Sequence, residues 1–322
     1  MDERRVVVVG FPGAELLEIA SVTTTLGIAN GLSRPSTPYS VEVASLGGRP
    51  ILCSTGLTLQ SQARLETLTG PLDTLVVSGA FDYRPAAADD VLVAHVRRLA
   101  GESRRVTSIC TGASVLAAAG LLDGRRATTH WRFADDIAAS RPAVTIDPRP
   151  IYIRDGHIAT AAGITSALDL TLALVEEDCG ADLARQVARD LVVYLQRPAN
   201  QAQMSVHTAA PPPRSELVRQ VVEHAKANLD ATLDAAELAQ VAGVSPRHLT
   251  RRFVAELGDP PARYVRTLRV EAAAHLLVGT RLPLARVADR CGFGSAEALR
   301  QAFTAQYGVP PSEYRARQSR SG

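Results

Sequence analysis

Val106-Thr107-Ser108-Ile109-Cys110-Thr111-Gly112-Ala113 is an apolar, β-branched run that passes directly into a cysteine, a threonine and a glycine, and then into the helix-favouring stretch Ala113–Leu122. A strand that becomes a helix within three residues is a sharp turn, and it presents its central side chain at the carboxyl end of the strand. The flanking sequence repeats the unit. Val6–Val9, bounded by Gly10 and Pro12, reads as a strand and leads into a helix from about Ala14 to Asn30. Val41–Ser45 and Leu75–Val77, the latter before Ser78-Gly79, are further strands, and Arg97–Leu99 ends another helix. Ile151–Arg154 and His157–Thr160 flank Asp155-Gly156, a hairpin signal, and a long apolar helix runs from about Ile164 to Glu177. Short apolar strands alternating with helices predict an α/β domain, a mostly parallel sheet with helices on both faces.

The chain has 322 residues, enough for about two domains with cores of their own. Hydrophobic residues at 46% and charged residues at 21% exclude an intrinsically disordered protein. With aromatics at 4%, the cores must be largely aliphatic. Lys226 is the single lysine among 35 basic residues, a bias of composition and not of mechanism. The net charge of +2 is unevenly placed: residues 1–212 carry −3 and residues 213–322 carry +5. A basic C-terminal third points to a nucleic-acid partner at that end. Arg4 and Arg5 precede only four valines before Gly10, too few for the apolar core of a signal peptide. Ala159–Val175, the longest apolar candidate for a membrane span, contains Asp169. Cys53, Cys110, Cys179 and Cys291 show no CxxC spacing, so neither a zinc site nor a disulfide framework is expected. The expected setting is the cytoplasm, with reduced thiols, no metal, no cofactor and no membrane partner.

Residues 198–213 break the alternation. Pro198, Asn200, Gln201 and Gln203 lead to Pro211-Pro212-Pro213, a linker composition. Three segments follow: an α/β domain over 1–197, a Pro/Gln-rich linker over 198–213, and a domain over 214–322 that carries helix signals only. The last contains a repeat. Leu238-Ala239, Gly243-Val244-Ser245, Leu249 and Phe253 recur as Val287-Ala288, Gly292-Phe293-Gly294-Ser295, Leu299 and Phe303, with one extra residue in the second turn. Each copy sets a small residue four before a glycine, then Leu and Phe four apart on one helix face. This is the chemistry of a helix-turn-helix: close helix crossing at the small residue, and a turn residue tolerant of left-handed dihedrals. Asp234 with Glu237 resembles a capping box, and Ser245 with Pro246 opens the second helix. The outward positions are Arg247, Thr250 and Arg251 in the first copy, and Glu297, Arg300 and Gln301 in the second. A plain helical bundle with solvated arginines would share some of these features. Two copies at fixed spacing on a basic domain favour DNA.

The segment Leu238–Leu249, the turn Gly292-Phe293-Gly294-Ser295 and the closing run Gly308–Arg315 resemble the AraC/XylS DNA-binding domain along its whole length. The resemblance implies two recognition helices in successive major grooves. Arg247, Thr250 and Arg251 would then read bases from the first helix, and Glu297, Arg300 and Gln301 from the second. Arg suits guanine, Gln adenine, and Glu accepts from cytosine. Ser245, Ser295 and further arginines would contact phosphate. Arg252, beside Phe253, either packs or faces DNA.

At the cysteine turn, backbone amides and the start of the following helix converge, which predicts a thiol pKa below the free value of about 8.5. A cysteine after an apolar strand is equally the pattern of a small buried hydrophobe. The runs Cys110–Ala113, Ala119–Trp131, Ala161–Asp169 and Gln201-Ala202-Gln203 resemble the ThiJ/PfpI domain of the class I amidotransferase-like superfamily, a flavodoxin-like fold. Followed by an AraC-type domain, the chain is similar to the GlxA-type regulators. Enzymes of that superfamily use a cysteine at the turn, an acid after the first strand, and a histidine. Here the matching positions are Cys110, Glu18 and His130, and Gly79, Ala80 and Thr111 complete the implied ligand corner. Glu18 is read as a partner of the thiol or as a surface residue of its helix, and His130 as a proton shuttle or as a structural histidine. Two departures weigh against catalysis. Thr111 stands where protease-like members carry His, and Gly79-Ala80 replaces Gly-Gly, although Ala80 retains an amide for an oxyanion cradle.

The leading expectation is a homodimeric, ligand-responsive transcription regulator, in the usual case an activator. It would bind double-stranded promoter DNA, sense a small-molecule effector near Cys110, and engage RNA polymerase. The alternative is a Cys-dependent hydratase- or glyoxalase-like enzyme tethered to a DNA module. Redox sensing through Cys110 ranks third, since neither Cys53 nor Cys179 offers an obvious resolving thiol.

Overall fold

The computed structural model describes residues 3–33, 37–193, 197, 199, 201–204 and 213–319. The chain forms two compact units, Met1–Gln203 and Met204–Gly322.

The first unit runs β1 (Arg4–Val9), α1 (Leu16–Ser33), β2 (Tyr39–Ser45), β3 (Ile51–Leu52), β4 (Thr58–Leu59), β5 (Ala63–Arg64), β6 (Leu72–Val77), α2 (Arg84–Ala87), α3 (Asp90–Gly101), β7 (Ser103–Ile109), α4 (Gly112–Ala118), β8 (Arg126–Ala127), α5 (Ala134–Ser140), β9 (Thr145–Ile146), β10 (Tyr152–Asp155), β11 (Ile158–Ala161), α6 (Ser166–Cys179) and α7 (Ala181–Asp190). Its main sheet has seven strands in the order β10-β11-β7-β6-β1-β2-β5. Every neighbouring pair is parallel except β10 with β11, the hairpin turning at Asp155-Gly156. The four valines Val6–Val9 are buried because β1 is an interior strand, between β6 and β2, with helices on both faces. The chain crosses one way from β1 to β2 and the opposite way from β6 to β7. Right-handed crossovers therefore send α1 to one face and α3 to the other. α1, α6 and α7 pack together, and α2, α3 and α4 form the opposite layer. The reversal of strand order beside β1 is the topological switch point, and the crevice outside the carboxyl ends of β1, β6 and β7 is where open α/β sheets seat their ligands.

The α/β, flavodoxin-like reading therefore holds, with three local differences. α4 ends at Ala118, not at Leu122, because Gly120 adopts a left-handed φ of 72° and its N–H returns to the Ala117 carbonyl. α7, beyond the expected helix end at Glu177, is a separate amphipathic helix. The third difference concerns the linker. Backbone N–H groups of Ile151 and Tyr152 donate to the carbonyls of Gln201 (2.9 Å) and Ala199 (3.1 Å), and that of Gln203 donates to Arg149 (2.8 Å). The Gln203 amide also donates to the Thr129 carbonyl at 2.8 Å and accepts from Trp131 N–H at 3.0 Å. The start of the stretch read as linker is thus a strap of the α/β unit, since its backbone pairs with the Arg149–Tyr152 segment and the Gln203 side chain satisfies backbone groups of the Thr129–Trp131 loop. Pro198, Asn200, Pro211 and Pro212 lie outside the described residues.

The second unit is helical throughout its described residues: α8 (Glu216–Ala227), α9 (Ala235–Val241), α10 (Pro246–Leu257), α11 (Pro261–Gly279), α12 (Leu284–Arg290), α13 (Ala296–Tyr307) and α14 (Pro311–Ser319). α9 with α10, and α12 with α13, are the two helix-turn-helix copies, joined by α11. Leu249, Phe253, Leu299 and Phe303 are buried, as their spacing requires. The turn glycines Gly243 and Gly292 take φ of 66° and 69°. Asp234 accepts from Ala236 and Glu237 N–H, Ser245 from His248 N–H, and Ser295 from Ala298 N–H, so each of these helices opens on a side-chain cap.

Candidate functional sites: a buried cysteine elbow and two outward helix faces

Cys110 sits between β7 and α4 with a φ of 54°, a left-handed conformation rare for a residue with a side chain. It is held there from both sides. Its N–H donates to the Ala161 carbonyl at 2.9 Å, and its own carbonyl accepts from the buried Thr129 hydroxyl at 2.8 Å. Gly79, after β6, must be glycine: a Cβ would lie 2.8 Å from both Cys110 Cβ and Thr111 N. α1 brings Glu18 to the same point. The Gly79 N–H donates to Glu18 Oε2 at 2.6 Å, while Oε1 is buried without a hydrogen-bond partner and the carboxyl lies against the thiol. Glu18 is 0% exposed, so it is a partner of the thiol and not a surface residue.

Burial dominates the electrostatics here. It raises the Glu18 carboxyl from 4.5 to about 8, partly offset by the Gly79 hydrogen bond. The Cys110 thiol is likewise pushed well above its ordinary value, first by burial and then by the neighbouring carboxyl. This corrects the expected depression: Cys110 is 5% exposed, and the desolvation of a thiolate outweighs the Thr111 amide that favours it. The amide cradle also differs from expectation. The Ala80 N–H donates to Thr111 Oγ1 at 2.8 Å, Thr111 Oγ1 donates back to the Ala80 carbonyl at 2.6 Å, and the Gly79 amide is engaged by Glu18. Both amides are therefore committed to the protein. His130 adjoins this corner through Gly163, whose Cβ would lie 3.2 Å from its ring. Its Nδ1 accepts from Arg132 N–H at 3.2 Å, which assigns the proton of the neutral ring to Nε2. Burial and then Arg132 lower its pKa, and its ring stacks on Trp131 and lies tilted against Phe133. Among the described residues no hydrogen bond joins His130 to Cys110 or Glu18. The corner thus gathers Glu18, Gly79, Ala80, Cys110 and Thr111, with His130 at its margin. Thr129, which anchors the Cys110 carbonyl, had no sequence signal, because that contact arises from folding and not from spacing.

In the second unit Arg247 and Arg251 are exposed on α10, and Arg251 reaches His248 Nδ1 at 3.2 Å. Thr250 is half-buried, and its hydroxyl donates to the Pro246 carbonyl. On α13, Arg300 pairs with Glu297 at 2.7 Å, and Gln301 donates to the same carboxylate at 3.2 Å. All three are exposed but tied to one another. Arg252 is tied along its own helix: it pairs with Glu256 at 3.0 Å, whose carboxylate also accepts from Ser215 and Arg214. The two copies are held in fixed register. A Cβ at Gly292 would meet the Leu229 carbonyl at 2.1 Å, and Arg269 of α11 donates to the carbonyls of Leu229 and Ala231.

A doubly wound domain with a cysteine elbow, on the same chain as a tandem helix-turn-helix module, defines a two-domain class of regulator-like proteins. The comparisons agree. The DJ-1/PfpI family matches residues 4–177, and a helix-turn-helix domain family matches residues 238–317. The chain is 33% identical over 306 residues to HTH-type transcriptional regulator CdhR of Pseudomonas aeruginosa, covering 95% of this chain and 89% of that protein. It is 32% identical over 324 residues to HTH-type transcriptional regulator GlxA of Rhizobium meliloti, covering 98% of each. Isonitrile hydratase of Pseudomonas putida is 39% identical over 142 residues, 44% of this chain and 60% of that one. In fold, a ThiJ/PfpI family protein from Pseudomonas syringae superposes with a TM-score of 0.55 at 24% identity, over 75% of this chain and 90% of that one. The chain belongs to the DJ-1/PfpI family, in its branch of two-domain AraC-type helix-turn-helix transcriptional regulators of the GlxA type. No helix among the described residues is long and apolar enough to cross a membrane.

Proposed function

We propose that this chain is a sequence-specific, double-stranded-DNA-binding activator of transcription that acts in the cytoplasm as a homodimer and engages RNA polymerase. Its α/β domain senses a small molecule near Cys110 and is not catalytic. The observation that carries the reading is the tandem module itself: two capped helices on one helical unit, with Arg247 and Arg251 exposed on the first and without a carboxylate partner among the described residues. Arg247, Thr250, Arg251, Glu297, Arg300 and Gln301 are proposed as base readers, with Arg on guanine and Gln on adenine. Glu18, Gly79, Ala80, Cys110, Thr111 and His130 are proposed to respond to the effector as one linked corner. A thiol held neutral and a cradle whose amides are already bonded support a sensing role over turnover. The effector regulates only if it binds two conformations unequally.

The test is fluorescence anisotropy of the full chain on DNA from upstream of its own gene, at two salt concentrations, against scrambled competitor. Salt-sensitive binding that survives the competitor is expected. Failure to bind at any salt overturns the reading.

The similarity to isonitrile hydratase favours a second reading, a Cys-dependent hydratase with a DNA tether. Turnover of an isonitrile that vanishes in Cys110→Ala while DNA binding persists would establish it.

A further inference from the structure

A cleft of about 400 Å³ opens at the carboxyl edge of the sheet, between the loops that follow β1 and β2 and the α2–α3 segment. It is distinct from the cysteine corner, and one loop separates them. Phe11 and Pro12 line the cleft, and the next residues of the same loop abut the elbow: Ala14 bridges to Ala80, and Glu15 N–H donates to the Gly79 carbonyl at 2.9 Å. The floor is apolar and buried, formed by Phe11, Ile51 and Leu92. Two charged residues line it. The Asp89 carboxylate is committed, since Oδ1 caps α3 by accepting from Val91 and Leu92 N–H, both at 3.0 Å. Arg49 is exposed; its Nε donates to the Leu46 carbonyl at 3.3 Å, and among the described residues it makes no ion pair. The Asp89 charge is thus offset by amides at the positive end of α3, whereas the Arg49 guanidinium has no carboxylate within ion-pair distance among the described residues, so Arg49 is the group left to meet an anion.

We propose that this cleft is the effector seat and that it takes a small organic carboxylate with an apolar body. The apolar body would lie on Phe11, Ile51 and Leu92, and the carboxylate would meet Arg49. The inference rests on the sensor reading above and gives it a location and a ligand class. The cleft volume lies within the range of about 300–1,000 Å³ typical of small-molecule sites. A ligand there presses on Phe11 and Pro12, and the loop transmits the displacement to Gly79 and to Glu18 at the start of α1.

The probe is 8-anilinonaphthalene-1-sulfonate, an apolar anion, titrated by fluorescence into the full chain, with phenylacetate and 2-phenylethanol as competitors. Phenylacetate is expected to displace the dye at least tenfold more effectively than the neutral alcohol, and Arg49→Met is expected to erase that preference. Ala86→Phe, which fills the cleft, and Pro85→Trp, which obstructs it from an exposed position, are each expected to weaken dye binding at least tenfold. Leu57→Ser, on an exposed apolar residue elsewhere, should leave it unchanged. Dye binding that is indifferent to both cleft variants, or a competition without preference for the acid, overturns the proposal. A chain that binds the acid through these residues yet binds no DNA keeps the cleft and overturns only the regulator reading beneath it.

Discussion

Replacing Glu18 by glutamine should make the α/β unit more stable as pH rises, relative to wild type. The glutamine side chain keeps the shape and the acceptor for the Gly79 N–H but cannot ionise. The wild-type carboxyl is fully buried and titrates at about 8 in place of 4.5. Below about pH 4.5 it is protonated in both the folded and the unfolded chain and contributes no pH dependence. Between 4.5 and 8 the unfolded chain releases a proton that the folded chain retains. Wild-type stability therefore falls by roughly 1 kcal/mol per pH unit, reaching about 3 kcal/mol at pH 7. In the Glu18→Gln chain this loss is absent, groups that do not feel Glu18 cancel in the difference, and the Cys110 thiol, which does feel it, is held protonated by burial across this range. Urea unfolding followed through Trp131, the chain's single tryptophan and part of this unit, reads the stability directly. The stability difference should move by about 3–4 kcal/mol in favour of Glu18→Gln between pH 5 and pH 8. A difference that stays constant over that range would refute the assignment of a protonated, buried Glu18.

Three further outcomes are expected. Gly79→Ala should destabilise the same unit by about 1–3 kcal/mol in the Trp131 assay, because its Cβ would crowd Cys110 and the Thr111 backbone, which have little room to shift. Alkylation of Cys110 by iodoacetamide, followed by mass spectrometry of its peptide, should be slow at pH 7 and accelerate only above the ordinary thiol range, since burial raises this thiol; fast labelling with a midpoint below about pH 8.5 would contradict the buried pair. Arg251→Ala should weaken binding to the cognate DNA by about 1–3 kcal/mol and relax preference at one base pair, read by anisotropy on single-substituted sites. Equal weakening on all sequences would assign Arg251 to phosphate.

The features legible in the sequence were those written in local periodicity and turn chemistry. The valine run of β1, the hairpin at Asp155-Gly156 and the elbow at Cys110 are short-range signals, and their alternation specified the α/β class. The helix-turn-helix pair was legible because Ala239 and Gly243, then Leu249 and Phe253, must recur wherever two helices cross closely over a tight turn. Even the positions that meet at the elbow, Glu18, Gly79, Ala80, Cys110 and Thr111, could be named, through resemblance, before any distance was known.

Their chemical state, by contrast, follows from packing. The cysteine turn alone favours a thiolate, but α1 buries a carboxyl against it and excludes water, so desolvation reverses the sign. Ala80 seemed free to donate only because its partner, the Thr111 hydroxyl, lies 31 residues away. Gln203 read as linker because the backbone groups it satisfies, at Thr129 and Trp131, belong to a loop more than seventy residues earlier. Arg252 pairs with Glu256 one turn on, and only the fold brings Ser215 and Arg214 onto the same carboxylate, while the neighbouring Arg251 stays beside His248. The cleft beneath Arg49 had no sequence signature at all, since its walls come from the loops after β1 and β2 and from the α2–α3 segment. Local sequence encodes which elements form; protonation, hydrogen-bond commitment and empty volume depend on what those elements exclude once they pack.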